Sequence, residues 1–484
     1  MAYRYAGKNT RPFSALCQNN YGREVIYTDA DSINATNIVD ELNKALSVHR
    51  QNRKEIEYLE RYYEGDQPIL YRVKKVRPDI NNKVVNNIAY MIVEMKTSEI
   101  SGEPIQYVQH GADESKSEEV AELNVMMNSE DKPYFDIELC RWRSICGTAY
   151  RFVGNNSSEE EDLLDEYPFY IETENPKDTF VVYSSRRRDK AMFSCQIRKN
   201  TEGKEVYNIY TPSHYYEIVG DKIIRIAENG NKAIPVIEYP NNARRLSDIE
   251  ITIAMTDELN TMASDRANGI EQFVASWIKF VNCDVDIETY RQMRQEGALV
   301  VKSNNGDSNK ADVDVMTSEL NQSESQVAVN DQFDKILIIQ GLASRQGNTG
   351  GDTQGAVELR NGHYDAEKRA ELSEPIFIRA ERQFIKIILN KMRIKKDWTL
   401  KQSDIEVKIS RTKMDNMQVK ALVLQTLLQC GVNPSRAIKT VGLFSDPEQV
   451  AIESQKRMDV LYPETVEHGE IAKDIEDGND GTTV

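Results

Sequence analysis

"NNARRLSDIEITIAMTDELNTMASDRANGIEQFVASWIKF", residues 241–280, carries Ile251, Met255, Leu259, Met262, Ile270, Phe273 and Trp277 at helical spacing. That period marks one face of a helix. Ser247 with Glu250 three residues later forms a capping box, in which hydroxyl and carboxylate satisfy amides that the first turn leaves unpaired. A helix of about 30 residues at 1.5 Å per residue is about 45 Å long. Its apolar stripe is thin and its remaining faces are charged. A helix this long and polar reads as a strut spanning an assembly rather than as an element buried in one small globule.

Upstream, "NIVDELNKALSVHRQNRKEIEYLERYYEG" spaces Ile38, Leu42, Leu46, Ile56 and Leu59 helically, with Gly65 as a stop. "VVNNIAYMIVEMKTSEISG", "SKSEEVAELNVMMN" and "PYFDIELCRWRSIC" read as three further helices. From Thr148 to Tyr239 the pattern changes to short β-branched and aromatic runs, among them "TAYRFVG", "TFVVYS" and "KIIRIA", punctuated by turn residues. These predict a meandering antiparallel sheet. Arg186 to Arg188, in "SSRRRDK", fall at one turn, either solvated or in contact with a subunit or nucleic acid. Residues 1–35 are polar and irregular and read as a flexible arm.

Downstream, residues 281–320 read as a compact insertion with a short helix, a strand "GALVVK" and the turn "SNNGDSNK". A returning helix spans 321–340. Beyond the next loop a long helix runs to Met392, followed by the strand "WTLKQSDIEVKIS" and a small all-helical unit in which Asn433–Pro434 and Asp446–Pro447 mark helix starts. The last residues, "EHGEIAKDIEDGNDGTTV", are acidic and read as disordered.

The loop between the last two long helices is "GLASRQGNTGGDTQG", Gly341 to Gly355. It holds one apolar residue longer than Ala, one Arg and one Asp, so it cannot build core. A phosphate-binding P-loop needs Lys and Ser or Thr directly after its last glycine, whereas Gly355 is followed by Ala356 and Val357. A dinucleotide fingerprint needs a preceding strand, and here a helix precedes. The loop is therefore mobile or wrapped around something.

The 484 residues carry a net charge of −17, which disfavours a protein that grips phosphates through Lys and Arg. Such a chain can still surround DNA without holding it. No run of 18 apolar residues and no apolar h-region at the start are present, so no membrane span and no secretory signal are expected. The six cysteines, Cys17, Cys140, Cys146, Cys195, Cys283 and Cys430, lack metal or pairing spacings, and the five histidines lie far apart. No catalytic residue, metal site or cofactor is expected.

Three stretches together resemble the phage portal proteins of the SPP1-like type: 58–107, beginning "YLERYYEGDQPILYRV"; 234–273, beginning "IPVIEYPNNARRLSDI"; and the late "ISRTKMDNMQVKALVLQTLLQCGVNPSRAIKTVGLFSDPEQVAIES". The likeness keeps its order from about residue 36 to 460. It implies an α+β fold assembling as a cyclic ring, usually of twelve subunits, at one vertex of a viral head. By segment it implies a flexible arm at 1–35 and a wing at 36–247, helices then antiparallel sheet. It further implies stem helices at 248–280 and 321–340, a small α/β clip at 281–320, and a tunnel loop at 341–355. A long wing helix and return strand at 356–412, a helical crown at 413–460 and an acidic tail at 461–484 complete it.

The resemblance implies a non-enzymatic channel for DNA packaging and ejection, in the virion and, during assembly, in the host cytoplasm. Implied partners are further copies of the chain, the terminase large subunit, neck or adaptor proteins, capsid and scaffolding proteins, and the double-stranded DNA in the channel. Tunnel-loop residues facing DNA would be Gly341, Arg345, Gln346, Asn348, Thr349, Gly350, Gly351 and Gly355; clip residues facing partners would be Arg291, Arg294, Lys302 and Lys310. An acidic channel suits sliding, because each fixed cation that binds phosphate creates drag. Two other classes stay open: another ring-shaped head–tail connector, and a DNA-processing enzyme, which would need clustered carboxylates for two metals.

Overall fold

The computed structural model describes residues 22–75, 78–110, 114–156, 167–274, 277–281, 286–288, 291, 312–316, 322–342, 363–410 and 417–442, with 444, 450, 451 and 454. In chain order, β1 (Ile26–Thr28) precedes α1 (Ile38–Tyr63), α2 (Ile88–Ser101), β2 (Gln106–Gln109), α3 (Glu114–Ser129) and α4 (Lys132–Cys146). A run of strands follows: β3 (Thr148–Gly154), β4 (Tyr170–Glu174), β5 (Thr179–Ser184), β6 (Ala191–Lys199), β7 (Glu205–Tyr210), β8 (His214–Val219), β9 (Lys222–Glu228) and β10 (Val236–Pro240). Then come α5 (Ile253–Val274), β11 (Trp277–Val281), β12 (Asp312–Met316), α6 (Gln322–Gln340) and α7 (His363–Lys396), and finally β13 (Ile405–Lys408), α8 (Met417–Gln429) and α9 (Pro434–Val441).

Two compact units result: one comprises 1–99, 135–155 and 171–383, the other 100–134, 156–170 and 384–484. In the first, each strand-like run between Thr148 and Tyr239 becomes a strand, but the expected single meander is two sheets. One has the order β1-β5-β6-β7-β8-β9, the other β10-β3-β4. The larger is mixed, since β1 pairs parallel with β5, Ile26 opposite Val182. On this sheet α1 lays Ile38, Leu42, Ala45 and Leu46 against Phe180, Phe193, Ile209 and Ile218. A helical stripe of period 3.6 thus meets strand faces of period 2, and both bury.

Of the arm expected at 1–35, residues 1–21 lie outside the described residues, and β1 corrects the part that follows. Residues 22–28 are built in: the Glu24 N–H donates to Asn52 Oδ1 at 2.9 Å, Asn52 Nδ2 returns to the Glu24 carbonyl at 2.8 Å, and buried Arg23 pairs with Glu55 and Glu250. A three-residue strand carries too little pattern to be read locally, and the strand it pairs with begins its register at Val182, far along the chain.

The helix expected over 248–280 is shorter. A 3₁₀ turn at Glu250–Thr252 leads into α5, which has 22 residues and ends at Val274. Its length is about 33 Å rather than about 45 Å. Trp277, counted on the helical stripe, instead starts β11, which pairs antiparallel with β12, Trp277 opposite Met316. "WIKFV" is rich in aromatic and β-branched residues, and pairing with "DVDVM" outweighs the continued helical spacing. The capping box expected at Ser247 and Glu250 is only half present: Glu250 Oε2 accepts the Ser247 N–H at 2.7 Å, but Ser247 Oγ accepts from the Ile249 N–H at 3.1 Å, and Ile249 rather than Ser247 stands at the N-cap of the 3₁₀ turn. The long helix expected from 356 to 392 is α7, with Pro375 in its interior.

In the second unit β2 and β13 form a two-stranded sheet. Asn124 of α3 acts as a substitute strand partner, accepting the Tyr107 N–H at 3.0 Å and donating to its carbonyl at 2.8 Å. Glu119 accepts the Thr399 and Leu400 N–H groups at 3.2 and 2.8 Å, tying the chain after α7 to α3. The start expected at Asn433–Pro434 is present: Asn433 Oδ1 accepts the Arg436 N–H at 3.4 Å, and Gly442, at φ +63°, stops α9. Asp446, "GALVVK" and the acidic tail lie outside the described residues.

Candidate functional site

The residues expected to touch DNA or partners hang from the pair α5 and α6, so the site is built from that pair. Leu259 of α5 and Ile336, Leu337 and Leu342 at the end of α6 bury together with Ile88 and Ile92 of α2. A second face of α5 is buried as well, and it is polar. Thr252 of the preceding 3₁₀ turn and Thr256, Asn260, Ser264 and Asn268 of α5 recur every four residues and are each at most 4% exposed.

Three of these receive a stretch of main chain. The Asn86 N–H donates to Asn260 Oδ1 at 2.8 Å, the Val84 N–H to Ser264 Oγ at 2.9 Å, and the Asn82 N–H to Asn268 Oδ1 at 2.6 Å. Every second residue of 82–86 thus bonds to every fourth residue of the helix. Four residues of helix rise about 6.0 Å and two of extended chain about 6.6 Å, so the repeats nearly coincide. Helix side chains here do the work of a neighbouring strand, and N–H groups of a half-buried segment are satisfied. At the same face the half-buried Asp257 accepts from the Tyr62 hydroxyl at 2.9 Å; burial pushes its carboxyl up to about 7, against the pull of that hydrogen bond.

The far end of α6 is closed with similar care. The Leu342 N–H donates to the Leu337 carbonyl at 2.9 Å and the Gly341 N–H to the Ile338 carbonyl at 3.1 Å, the two bonds of a Schellman stop. Leu342 packs into the cluster that holds Leu337, completing the motif. Gly341 sits at φ +68°, and a Cβ there would lie 2.3 Å from Arg369 Cδ, so any larger residue would be strained and would displace the Arg369 side chain. Arg369 Nη1 donates to the Ile338 and Ile339 carbonyls at 2.6 and 3.1 Å, a cation on a helix C-terminus. Gln340 Nε2 ties the same end back to the Asp248 carbonyl at 2.6 Å and to Thr252 Oγ1 at 2.9 Å.

Of the loop residues named from sequence, Gly341 is therefore a helix stop. Arg345, Gln346, Asn348, Thr349, Gly350, Gly351 and Gly355 lie outside the described residues. In the insertion, Arg291 is exposed, while Arg294, Lys302 and Lys310 lie outside the described residues. β11 and β12 bring its two ends together. Arg369, Gln340 and the Asn260–Ser264–Asn268 ladder were not singled out from the sequence, although the i, i+4, i+8 spacing of Asn, Ser and Asn was there to be read. Cys140, Cys146 and Cys195 are buried, Cys430 is exposed, and no group of metal ligands occurs among the described residues. None of their helices is long and apolar enough to cross a membrane.

Compared with known families, the sequence matches the model described as "Phage portal protein, SPP1 Gp6-like" over residues 42–460. A search of curated proteins finds no match. Among solved structures, a chain of the "Neck of empty GTA particle computed with C6 symmetry" is similar at 11% sequence identity and a TM-score of 0.42, over 74% of this chain and 90% of that one.

Proposed function

The chain belongs to the SPP1 Gp6-like family of phage portal proteins and has a portal or connector function, and we propose that it does so as a closed ring at one vertex of the head. Twelve copies surround a channel through which double-stranded DNA enters and leaves. The protein is a structural part without catalytic activity; it resides in the virion and passes through the host cytoplasm during assembly.

The family match carries this reading, and the surface of the helix pair supports it. Ile251 and Ile270 beside α5 and on it, and Val327, Ile338 and Ile339 on α6, are 45 to 68% exposed in the isolated chain. Neighbouring copies would cover them, and a cyclic arrangement gives every copy the same cover. In this reading α5 and α6 are the stem, 281–320 the clip that receives the terminase large subunit and later neck or adaptor proteins, and 36–247 and 356–412 the wing. Residues 413–460 form the crown, and capsid and scaffolding proteins meet the outer surface. Residues 341–355 reach toward DNA from a root held by Gly341, Gln340 and Arg369. Arg345 is the one cation of that segment, which favours brief contact over a fixed grip.

Light scattering on the purified protein, with end-on electron micrographs, tests the assembly. The expected particle holds about ten or more chains around a central hole. A stable monomer at micromolar concentration in physiological salt would sink the reading.

A further inference from the structure

The turn carrying Arg186 to Arg188 forms one wall of a cleft of about 450 Å³ within the first unit, facing Asn242, Arg245 and the Pro375–Gln383 stretch of α7. Most of the cations here are spoken for. Arg245 Nη2 donates to Glu238 Oε2 at 2.8 Å, Arg186 meets Asp31 at 2.5 Å, and Arg187 meets Asp189 at 3.4 Å. Arg188 and Arg379 differ: both line the cleft, both are exposed, and among the described residues neither has an ion-pair partner. Between them Ile376 and Ala380 give the wall an apolar strip.

Two uncompensated guanidinium groups in a chain of net charge −17 call for an acidic occupant. The planar fork of each suits a carboxylate or a phosphate. A duplex carries one charge per about 1.7 Å and is held by a track of cations. The cleft offers two, flanked by the carboxylates of Asp189 and Glu238, and its concave shape admits side chains rather than a duplex. The densest acidic stretch of the sequence is "SSEEEDLLDE", residues 157–166, with six carboxylates, no Lys or Arg, and two leucines. Its composition matches the cleft on both counts, charge for Arg188 and Arg379 and apolar side chains for Ile376 and Ala380.

We propose that, in the assembled ring, this cleft takes segment 157–166 of a neighbouring copy. The inference rests on the ring reading above. It also makes the Arg186–Arg188 turn a subunit contact rather than a nucleic-acid contact.

The test is a charge swap in the full chain. One variant carries Arg188→Glu and Arg379→Glu, a second Glu159→Arg, Glu160→Arg and Glu161→Arg, and a third carries both sets. Assembly is followed by light scattering against protein concentration. Each one-sided variant raises the concentration for half-assembly about tenfold, and the double set returns to within about threefold of wild type. Both arginines are exposed, so thermal melting of the first variant stays within about 2 °C of wild type and separates lost docking from lost folding. Wild-type assembly in all three variants, or a double set worse than either side alone, overturns the cleft assignment and leaves the ring standing. A monomeric wild type overturns the ring reading, and this inference with it. Rings that form normally but lose retardation of duplex DNA in the Arg188→Glu, Arg379→Glu variant make the cleft a phosphate site and overturn the proposal.

Discussion

Arg151 heads the fully buried side chains among the described residues, and it is a charged one. Its guanidinium meets Asp136 and, at 3.4 Å, Glu381, and lies 5.1 Å from the centre of the Tyr239 ring. The Tyr239 hydroxyl donates to Glu381 at 2.7 Å, so the group is hydrogen-bonded as a unit. Such a cluster is stable only while complete, because removing the cation strands two carboxylates away from water. Arg151→Leu should lower the unfolding free energy by about 3 to 5 kcal/mol in urea titration, and adding Asp136→Asn with Glu381→Gln should recover part of the loss. A single variant as stable as wild type would show that the cluster contributes nothing. His49 is a second buried polar group, with Nε2 2.9 Å from the Lys177 carbonyl and its ring 4.5 Å from Phe180. Burial pushes its imidazole down to about 4. The unfolded chain therefore takes up this proton at about pH 6.5, before the folded one does. The stabilising contribution is complete above that pH and fades as pH falls toward 4, by up to about 3 kcal/mol. His49→Phe should flatten that part of the stability profile, measured as urea midpoints from pH 4 to 7; an unchanged slope would assign it to other groups.

In α5 the ladder of Asn260, Ser264 and Asn268 decides how 82–86 is held. Ser264→Ala leaves the Val84 N–H without its partner and should cost about 1 to 3 kcal/mol. Asn260→Ala removes partners from both Asn86 and Gln67 Oε1 and should cost at least as much. The half-buried Gln332 of α6 reaches Glu258 at a long 3.5 Å, and Gln332→Ala should stay within about 0.5 kcal/mol. Equal, small losses at all three positions in denaturant titration would mean that water replaces the ladder without penalty. The helical reading of this region found α5 because Met255 and Leu259 follow the apolar period. It placed the other faces in solvent because Asn, Ser and Thr ordinarily lie there. What reverses the assignment is "NKVVN", residues 82–86 far upstream, whose N–H groups need acceptors; no periodicity within α5 reports on them. β11 escaped for the same kind of reason, since its partner "DVDVM" lies beyond the intervening residues 282–311. The Gly65 stop of α1 and the cap at Asn433 were legible because each is settled by residues within a few positions of one another.

For the assembled particle, the closure of α6 bears on the proposed tunnel loop. Gly341 and Leu342 are locked into the helix stop, so any motion of the loop has to arise beyond them. That places the demand for backbone freedom on Gly350 and Gly351. Replacing both with Pro should leave ring formation intact and reduce the length of DNA protected from nuclease per head, whereas Arg345→Ala should reduce it less. Full-length packaging in the stiffened variant would remove the loop from the packaging step.

The near match between the rise of α5 and the spacing of 82–86 also bears on descent. A segment without helix or strand ordinarily gains and loses residues freely over generations. Here each two residues of the segment must meet one turn and a fraction of the helix, so a single deletion between Asn82 and Asn86 would throw at least one rung out of step. Among divergent relatives that keep this ladder, the segment should drift in side chains such as Lys83 and Val85 while its length stays fixed, like the tooth count of one gear meshed with another.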